Sequence, residues 1–259
     1  MLEVTDHLPP GTLCGAGTDI LTEALTASGA IWWAASGLSA DKTGAVTHWT
    51  DQSGTRVARP TAPNSGNGQI GEAGDLAGLQ CRDGLHCGMI AEDVARDAAT
   101  VTLAARYLPP YGEDAKTVLT YNTGGGARKS ANDNYLFLSE ADGVLTIKDD
   151  RGLIEATMPA PKDDMVRLVM VSLARDRLAV SMFGGAFVHV QAGAPVLSGP
   201  ASLFIGCRNQ RSGLTKTLGG ALISDVWLWP DRAVLLSDDP TDQAALMALR
   251  RFALWADDL

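Results

Sequence analysis

Two polar stretches of this sequence hold the side chains best suited to binding a ligand. The first covers residues 121–135 (YNTGGGARKSANDNY), and the second covers residues 208–211 (RNQR). Planar amide and guanidinium groups hydrogen-bond to sugar hydroxyl groups, and tyrosine rings pack against sugar faces. The candidate ligand-binding residues are Tyr121, Asn122, Arg128, Lys129, Asn132, Asn134, Tyr135, Arg208, Asn209 and Arg211.

Four of these candidates are cationic, although the whole chain is acidic: Arg128, Lys129, Arg208 and Arg211. Guanidinium and ammonium groups form charge-assisted hydrogen bonds with carboxylates, so an acidic polysaccharide suits these loops. Loop tips are also often polar in proteins that bind nothing there. Solvated loops therefore remain the alternative interpretation.

The carboxylates are not spaced for glycoside hydrolysis. A retaining glycosidase needs two carboxylates on the same face of a strand, and neighbouring residues of a strand point to opposite faces. The acidic pairs are adjacent residues in predicted turns, at positions 149–150, 163–164 and 238–239. Glu140 and Asp142 flank a predicted hairpin turn, where we expect solvent. The sequence predicts no catalytic residue and no enzyme; a hydrolase or lyase with an unrecognised site is the alternative.

Nucleotide and nucleophile motifs are also lacking. Residues 123–130 (TGGGARKS) resemble a phosphate-binding loop, but Arg128 replaces the glycine required before Lys129, and the segment lies between predicted strands. Ser53 and Ser130 lack the context of a serine nucleophile. His48 and His189 fall in predicted strands, where a structural role is expected.

The four cysteines include no CxxC pair and no histidine at zinc-ligand spacing, so neither a metal nor another cofactor is predicted. Cys207 reads as a small buried apolar residue. Cys81 and Cys87 are close enough in sequence for a disulfide, but a chain made in the cytoplasm would keep them reduced. Both states stay open.

Size and charge exclude several classes of protein. The chain has 259 residues and a net charge of -9, with a pI near 4.8. It lacks the clustered cations needed to bind nucleic acid or an anionic membrane surface. Its N-terminus has no secretory signal pattern, and charges interrupt its most apolar segment, residues 165–190. We therefore expect a protein made in the cytoplasm without a signal peptide.

The elements that must position the loops are mostly short strands. Between residues 31 and 229, apolar alternation is interrupted by Gly, Pro, Asn and Asp turns, and Asp142-Gly143 marks a hairpin. Residues 60–79 are predicted to form a long loop. Residues 18–27 predict a short helix with Thr18 as its N-cap, and Asp239 followed by Pro240 predicts the start of a C-terminal helix.

Trp32 and Trp33 are adjacent in the first predicted strand, so their rings must face opposite sides of a sheet. One of the two is therefore expected to be exposed to a partner.

Motifs in a shared order resemble bacterial or phage-associated concanavalin A-like (laminin-G-like) jelly-roll domains. The segment at 30–54 ends in Trp49-x-Asp51-x-Ser53-Gly54, and Ile-Gly at 205–206, Leu-Gly-Gly at 218–220 and ISDVW at 223–227 follow. The resemblance implies an all-β, two-sheet antiparallel jelly-roll sandwich with a short N-terminal segment and a C-terminal helix. It also implies that loops 121–135 and 208–211 are neighbours. Phe183-Gly184-Gly185 departs from the Val-Asp-Gly of the family, so no calcium site is carried over.

The resemblance implies a recognition module for a glycan or cell surface, occupying residues 30–259. Residues 1–29 would be an extension that attaches to a protein partner. Because the sequence shows no secretory signal, we expect the protein to reach an extracellular glycan as part of a phage-like particle, such as a gene transfer agent. It would be a spike, fibre or decoration subunit that binds capsular polysaccharide. Homo-oligomerisation would then supply avidity. A purely structural subunit that binds only protein is the alternative.

Overall fold

The computed structural model describes residues 17–62, 64, 66–81, 85–109, 116–123, 134–161, 165–175, 177–182, 187–191, 197–208 and 220–257. Two helices, α1 (Gly17–Ala27) and α2 (Pro240–Asp257), lie near the ends of the chain. The strands are β1 (Ile31–Ala34), β2 (Leu38–Ala40), β3 (Val46–Thr50), β4 (Val57–Pro60), β5 (Gln69–Ala73), β6 (Leu76–Gln80), β7 (Met89–Arg96), β8 (Thr100–Leu108), β9 (Lys116–Asn122), β10 (Tyr135–Ala141), β11 (Val144–Asp149), β12 (Glu155–Pro159), β13 (Arg167–Ala174), β14 (Arg177–Met182), β15 (Phe187–Gln191), β16 (Pro200–Ile205) and β17 (Leu222–Trp229).

The strands form two antiparallel sheets. The eight-stranded sheet has the order β15-β14-β13-β8-β17-β6-β5, and β1 also pairs with β17, beyond the short β6 contact. The nine-stranded sheet has the order β12-β11-β10-β9-β16-β7-β4-β3-β2. The predicted all-β jelly-roll sandwich with a helix near each end is confirmed.

The core lies between the two sheets. Its large members include Trp33, Trp49, Tyr107 and Tyr121, all without solvent exposure. Because side chains alternate along a strand, each sheet also has an outer face. What covers each outer face decides where a ligand can bind.

The helices cover the outer face of the eight-stranded sheet at β1, β8, β13 and β17. Leu21 and Leu25 of α1 and Leu249 of α2 are buried in one cluster with Trp227 and Trp229. That cluster contains no residue of the nine-stranded sheet. Burying these large apolar side chains supplies most of the free energy that holds a helix on a sheet.

Trp32 also belongs to this helix layer. Its ring stacks on Trp227 at a centroid distance of 6.0 Å and meets Phe252 edge-on at 6.4 Å. Its neighbour Trp33 points into the core between the sheets. The expectation that one of the pair is exposed is therefore wrong, because each face of β1 is covered, one by the other sheet and one by the helices.

The predicted start of the C-terminal helix is confirmed. The Asp239 side chain accepts a hydrogen bond from the Thr241 amide (2.8 Å), which satisfies one of the free amides at the helix start. Arg232 pairs with Asp239 and Asp242 and ties this end of α2 to the preceding chain. The predicted Thr18 cap lies outside the described side chains.

Residues 60–79 differ from the predicted loop, because they contain β5 and β6. Gly71 and Gly78 are directly opposite each other in this hairpin. A Cβ on Gly78 would lie 2.1 Å from the Ile223 carbonyl oxygen, and one on Gly71 would lie 2.5 Å from the Gln80 side chain. Glycine permits this close approach of neighbouring chains, although its presence resembles loop composition in the sequence.

The predicted Asp142-Gly143 hairpin is confirmed. Asp142 and Gly143 both have positive φ (45° and 75°), as a tight two-residue turn between β10 and β11 requires. Ala174 pairs with Arg177 across the turn between β13 and β14. No described helix is long and apolar enough to cross a membrane.

The division of the chain after residue 29 stays a prediction. In the structure, residues 17–27 pack as α1 against α2, and Ser28 accepts a hydrogen bond from the Trp229 indole (2.9 Å).

Candidate functional site

The outer face of the nine-stranded sheet carries a row of side chains across six strands. Pairing aligns Lys148 with Phe137, then Thr120, Phe204, Ile90 and Arg59. We call this row the outer strip. Its apolar members are separated from the core by the sheet itself, since Ile90 and Phe204 form their own small cluster with Cys207.

The chain after β16 folds back over this strip. Gly206, at φ 73°, donates from its amide to the Val118 carbonyl (2.8 Å) and reverses the direction of the chain. The Thr120 hydroxyl then donates to the Cys207 carbonyl (3.1 Å), and the Asn122 amide donates to the Arg208 carbonyl (3.4 Å). Residues 206–208 are thus anchored on the outer face by side chains of β9.

Cys207 covers the apolar residues Ile90 and Phe204 of the outer strip. Its buried side chain packs with Ile90 and Phe204. A Cβ on Gly88 would lie 2.3 Å from the Cys207 sulfur, so only glycine fits beneath it. On the β10 side of the strip, Phe137 lies beneath Arg208.

Arg208 lies on an aromatic surface. Its guanidinium carbon is 3.7 Å from the centroid of the Phe137 ring, a cation–π contact. The rings of Phe137 and Tyr135 are 5.7 Å apart. The Tyr135 side chain is hydrogen-bonded to both Arg208 and Asp150. We call Tyr135, Phe137, Asp150 and Arg208 the Arg208 patch.

The electrostatics of the patch reflect its partial burial. Burial chiefly raises the pKa of Tyr135, the Asp150 carboxylate raises it further, and Arg208 opposes both. Tyr135 therefore stays a neutral hydroxyl that can donate or accept a hydrogen bond. The Nε of Arg208 is buried and has no hydrogen-bond partner among the described residues.

Two predicted site residues help to build this patch without lining it. The buried Asn134 side chain donates to the Asp149 carboxylate (3.2 Å) and accepts from the amides of Tyr135 (2.8 Å) and Asp150 (3.1 Å). Asn122 is 5% exposed and holds the Arg208 backbone. Both amides position the patch.

Tyr121 is not part of the outer face. Its side chain is fully buried between the sheets, and its hydroxyl has no hydrogen-bond partner among the described residues. The reason is strand parity: Tyr121 precedes Asn122, and adjacent strand residues point to opposite faces. Of the predicted set, the structure brings Tyr135 and Arg208 together. The remaining predicted residues lie outside the described ones: Arg128, Lys129, Asn132, Asn209 and Arg211.

Sequence reasoning missed Phe137 and Asp150. Phe137 has the same strand parity as Tyr135, so the pairing of their rings on one face was accessible from alternation alone. Asp150 is an exposed turn residue, as predicted, but its turn also brings the carboxylate next to Tyr135. The Asn134 side chain, which binds the Asp150 amide, helps to hold it there.

Glu140 is buried, contrary to the expectation of solvent. It accepts a hydrogen bond from the Tyr107 hydroxyl (2.8 Å) and forms an ion pair with Arg167. Arg167 in turn donates to the Pro161 carbonyl. Since Glu140 belongs to one sheet and Tyr107 and Arg167 to the other, this acidic side chain links the two sheets. Its neighbour Asp142 is exposed at the turn, as expected.

Within the described ranges, no group of three or more His, Cys, Asp or Glu side chains is arranged to hold a metal ion. The absence of calcium and of other cofactors stays a prediction.

Comparison with known proteins identifies likeness of fold. Trypanosoma rangeli sialidase in complex with 2,3-difluorosialic acid (covalent intermediate) has a TM-score of 0.58 and 17% identity, and the match covers 86% of this chain and 32% of that one. A mutant of that sialidase displaying trans-sialidase activity also has a TM-score of 0.58, at 15% identity, with 92% and 38% covered. This chain thus spans about a third of the sialidases that it matches.

A more distant structure is the CBM40 of Ruminococcus gnavus IT-sialidase bound to α2,3 sialyllactose. Its TM-score is 0.44 at 14% identity, and 65% of this chain and 95% of that one are covered. Domains LG4-5 of the mouse laminin alpha1 chain have a TM-score of 0.40 at 14% identity, with 55% and 39% covered. No known protein family matches the sequence, and no curated protein matches it either.

These comparisons correct one prediction. The expectation that the chain is not an enzyme is contradicted, because its fold recurs within sialidases, which are catalytic proteins. The expectation relied on the spacing of paired carboxylates along a strand, and glycosidic bonds are also cleaved without that arrangement. At 14–17% identity, the likeness shows the fold and leaves the activity of this chain to experiment.

Proposed function

We propose that this chain recognises a glycan at the Arg208 patch, on the outer face of the nine-stranded sheet. The observation that carries the proposal is the guanidinium of Arg208 stacked on Phe137 beside the hydroxyl of Tyr135. On the other sheet, β1, β8, β13 and β17 have their outer face buried beneath α1 and α2.

The chemistry of the patch suits an acidic sugar. A guanidinium offers a planar fork of donors to a carboxylate, and Tyr135 and Asp150 bind hydroxyl groups. Among the neighbours, the sialidase of Trypanosoma rangeli is described in complex with sialic acid. A sialylated oligosaccharide is therefore a sensible first ligand to test, beside acidic capsular polysaccharides.

The finer roles remain proposals based on the sequence. They are a spike, fibre or decoration subunit of a phage-like particle, homo-oligomerisation, and a protein partner for residues 1–29. The similar structures described above bear on glycan binding and not on a particle. A purely structural subunit, which binds protein alone, is the competing proposal.

The test is binding of the full chain to sialyllactose and to a panel of acidic polysaccharides. Arg208→Ala should weaken binding by about tenfold or more, because it removes a charge-assisted pair. Arg208→Lys keeps the charge but loses the planar fork, so it should restore only part of the affinity. Arg250→Ala removes an equal charge from the exposed side of α2 and should change nothing.

The proposal fails if Arg208→Ala and Arg250→Ala bind alike, or if no glycan of the panel binds. The second result would favour the structural subunit. Arg128→Ala combined with Arg211→Ala tests the loops that lie outside the described residues and should also abolish binding. Release of sialic acid or reducing ends, followed in the same samples, tests for cleavage.

A further inference from the structure

Two buried thiols lie against each other in the core between the sheets. Cys81 and Cys87 are 1% and 0% exposed and belong to the same core cluster. The Cys81 side chain is hydrogen-bonded to that of Cys87. Such contact brings the two sulfurs together, and a disulfide would set their Cβ atoms about 3.5–4.5 Å apart.

Hydrogen bonds fix the backbone at Cys81 and next to Cys87. The Cys81 amide donates to the Ala221 carbonyl (2.9 Å), next to the start of β17. The carbonyl of Gly88, which follows Cys87, accepts from the Thr61 amide (3.0 Å) and from the Asn64 side chain (3.2 Å). The contact between the thiols is therefore maintained by the fold as well as by their nearness in sequence.

We propose that Cys81 and Cys87 form an intramolecular disulfide when the chain folds in an oxidising environment. With oxidised glutathione as the oxidant, one protein thiolate first displaces a glutathione thiol and forms a mixed disulfide. The second protein thiolate then attacks the protein sulfur of this mixed disulfide and releases the other glutathione as a thiol. The protein loses two electrons and two protons in total, and the glutathione disulfide becomes two thiols.

Burial decides when the bond forms. In the folded chain, burial raises the pKa of the Cys81 thiol well above its usual range, so the reactive thiolate is scarce. We therefore expect oxidation during folding and slow exchange afterwards. Once formed, the disulfide is equally shielded from reductants in solution.

Cys207 supplies a matched control. It is as deeply buried as the pair and near enough for its charge to contribute to the raised pKa of Cys81, but its side chain packs with Ile90 and Phe204. A buried thiol outside the Cys81–Cys87 contact should stay reduced, whereas the two thiols in contact should oxidise.

The experiment refolds the full chain in a glutathione buffer, blocks free thiols with N-ethylmaleimide in denaturant, and counts the labels by mass. The refolded chain should carry two N-ethylmaleimide labels on its four cysteines, and the chemically reduced chain should carry four. A tryptic peptide ending at Arg82 should be linked to the peptide ending at Arg96. The Cys207→Ala variant should still form this link and carry one label.

Four labels after refolding, or linked peptides that contain Cys207 instead, would overturn the proposal. The link between the Cys81 and Cys87 peptides is mapped in the natural chain, so the test does not require a Cys81→Ala variant to fold. Pairing that reflects only the short spacing should be equally populated in urea. A disulfide favoured by the fold should instead survive a more reducing buffer in the native chain than in the denatured one.

Discussion

At the scale of single residues, the most consequential contact is the one that joins the two sheets through Glu140. Tyr107, Glu140 and Arg167 are each at most 5% exposed. A buried carboxylate is costly unless it is paired and hydrogen-bonded, and here Arg167 supplies the charge and Tyr107 the hydrogen bond. The three side chains therefore stabilise the sandwich only as a set.

Arg167→Met should destabilise the fold by about 3–5 kcal/mol, because it leaves the Glu140 charge buried without its partner. Tyr107→Phe removes one hydrogen bond to a charged group and should cost about 1.5–3 kcal/mol. Urea unfolding of the two variants and the natural chain measures both. If Arg167→Met combined with Glu140→Gln is no more stable than Arg167→Met alone, the buried charge is not the cause.

His86 predicts a pH dependence of stability. Burial lowers its pKa below the usual 6.5, and its ring accepts a hydrogen bond from the Gly88 amide (3.3 Å). Below pH 6.5, His86 takes up a proton in the unfolded chain but stays neutral in the folded chain until a lower pH. Its contribution to the free energy of unfolding is therefore present above pH 6.5 and is lost as the pH falls.

Replacing His86 by Asn keeps an acceptor for the Gly88 amide but removes the titration. The fall in unfolding free energy between about pH 7.5 and about pH 5.5 should be smaller in His86→Asn than in the natural chain. Denaturant titrations at the two pH values test this. Equal falls would show that the imidazole does not contribute.

At the scale of elements, the helix layer is part of the folded unit. Leu25 of α1 is 2% exposed and lies in the cluster of Trp227 and Trp229, whereas Met247 of α2 is 53% exposed. If the layer stabilises the sandwich, the buried face of each helix matters and the exposed face does not.

Leu25→Ala should therefore lower the unfolding free energy by about 2–5 kcal/mol. Met247→Ala, the matched control on the other face, should change it by less than about 0.5 kcal/mol. Thermal and urea unfolding provide the measurement. An effect of Leu25→Ala as small as that of Met247→Ala would mean that α1 folds without contributing to the sandwich.

At the scale of the whole molecule, the two outer faces have different tasks. One is covered by helices over β1, β8, β13 and β17, and the other carries the Arg208 patch. Strand pairing fixes the spacing of Tyr135 and Phe137, and the Asn122 side chain of β9 holds the backbone of Arg208 beyond the end of β16. Stability and recognition should consequently be separable.

We expect Leu249→Ala to lower the melting temperature while the folded fraction still binds its glycan with natural affinity. Arg208→Ala should do the reverse, with weaker binding and a melting temperature within a few degrees of the natural one, since a partly exposed residue adds little stability. Calorimetry and glycan binding on the same samples test both. A parallel loss of both properties in either variant would contradict the separation of the faces.

Much of the architecture was accessible from the sequence by itself. Alternating apolar residues, the Asp142-Gly143 turn and the Asp239-Pro240 helix start are local patterns with local physical causes, and the strands, the hairpin and α2 follow them. Tyr135 and Arg208 were also predicted to bind a ligand from their residue types, and that role stays a prediction. These features depend on interactions between residues close in sequence, which a single chain displays directly.

The tertiary structure alone decided which face each side chain occupies and what covers it. Tyr121 was predicted to bind a ligand but points into the core, and Trp32 was expected to be exposed but lies beneath the helices. Glu140 is paired by residues of the opposite sheet, and the Gly-rich segment 60–79 pairs as strands because Gly78 meets Ile223, far along the chain. Such contacts join residues distant in sequence, so no local pattern records them.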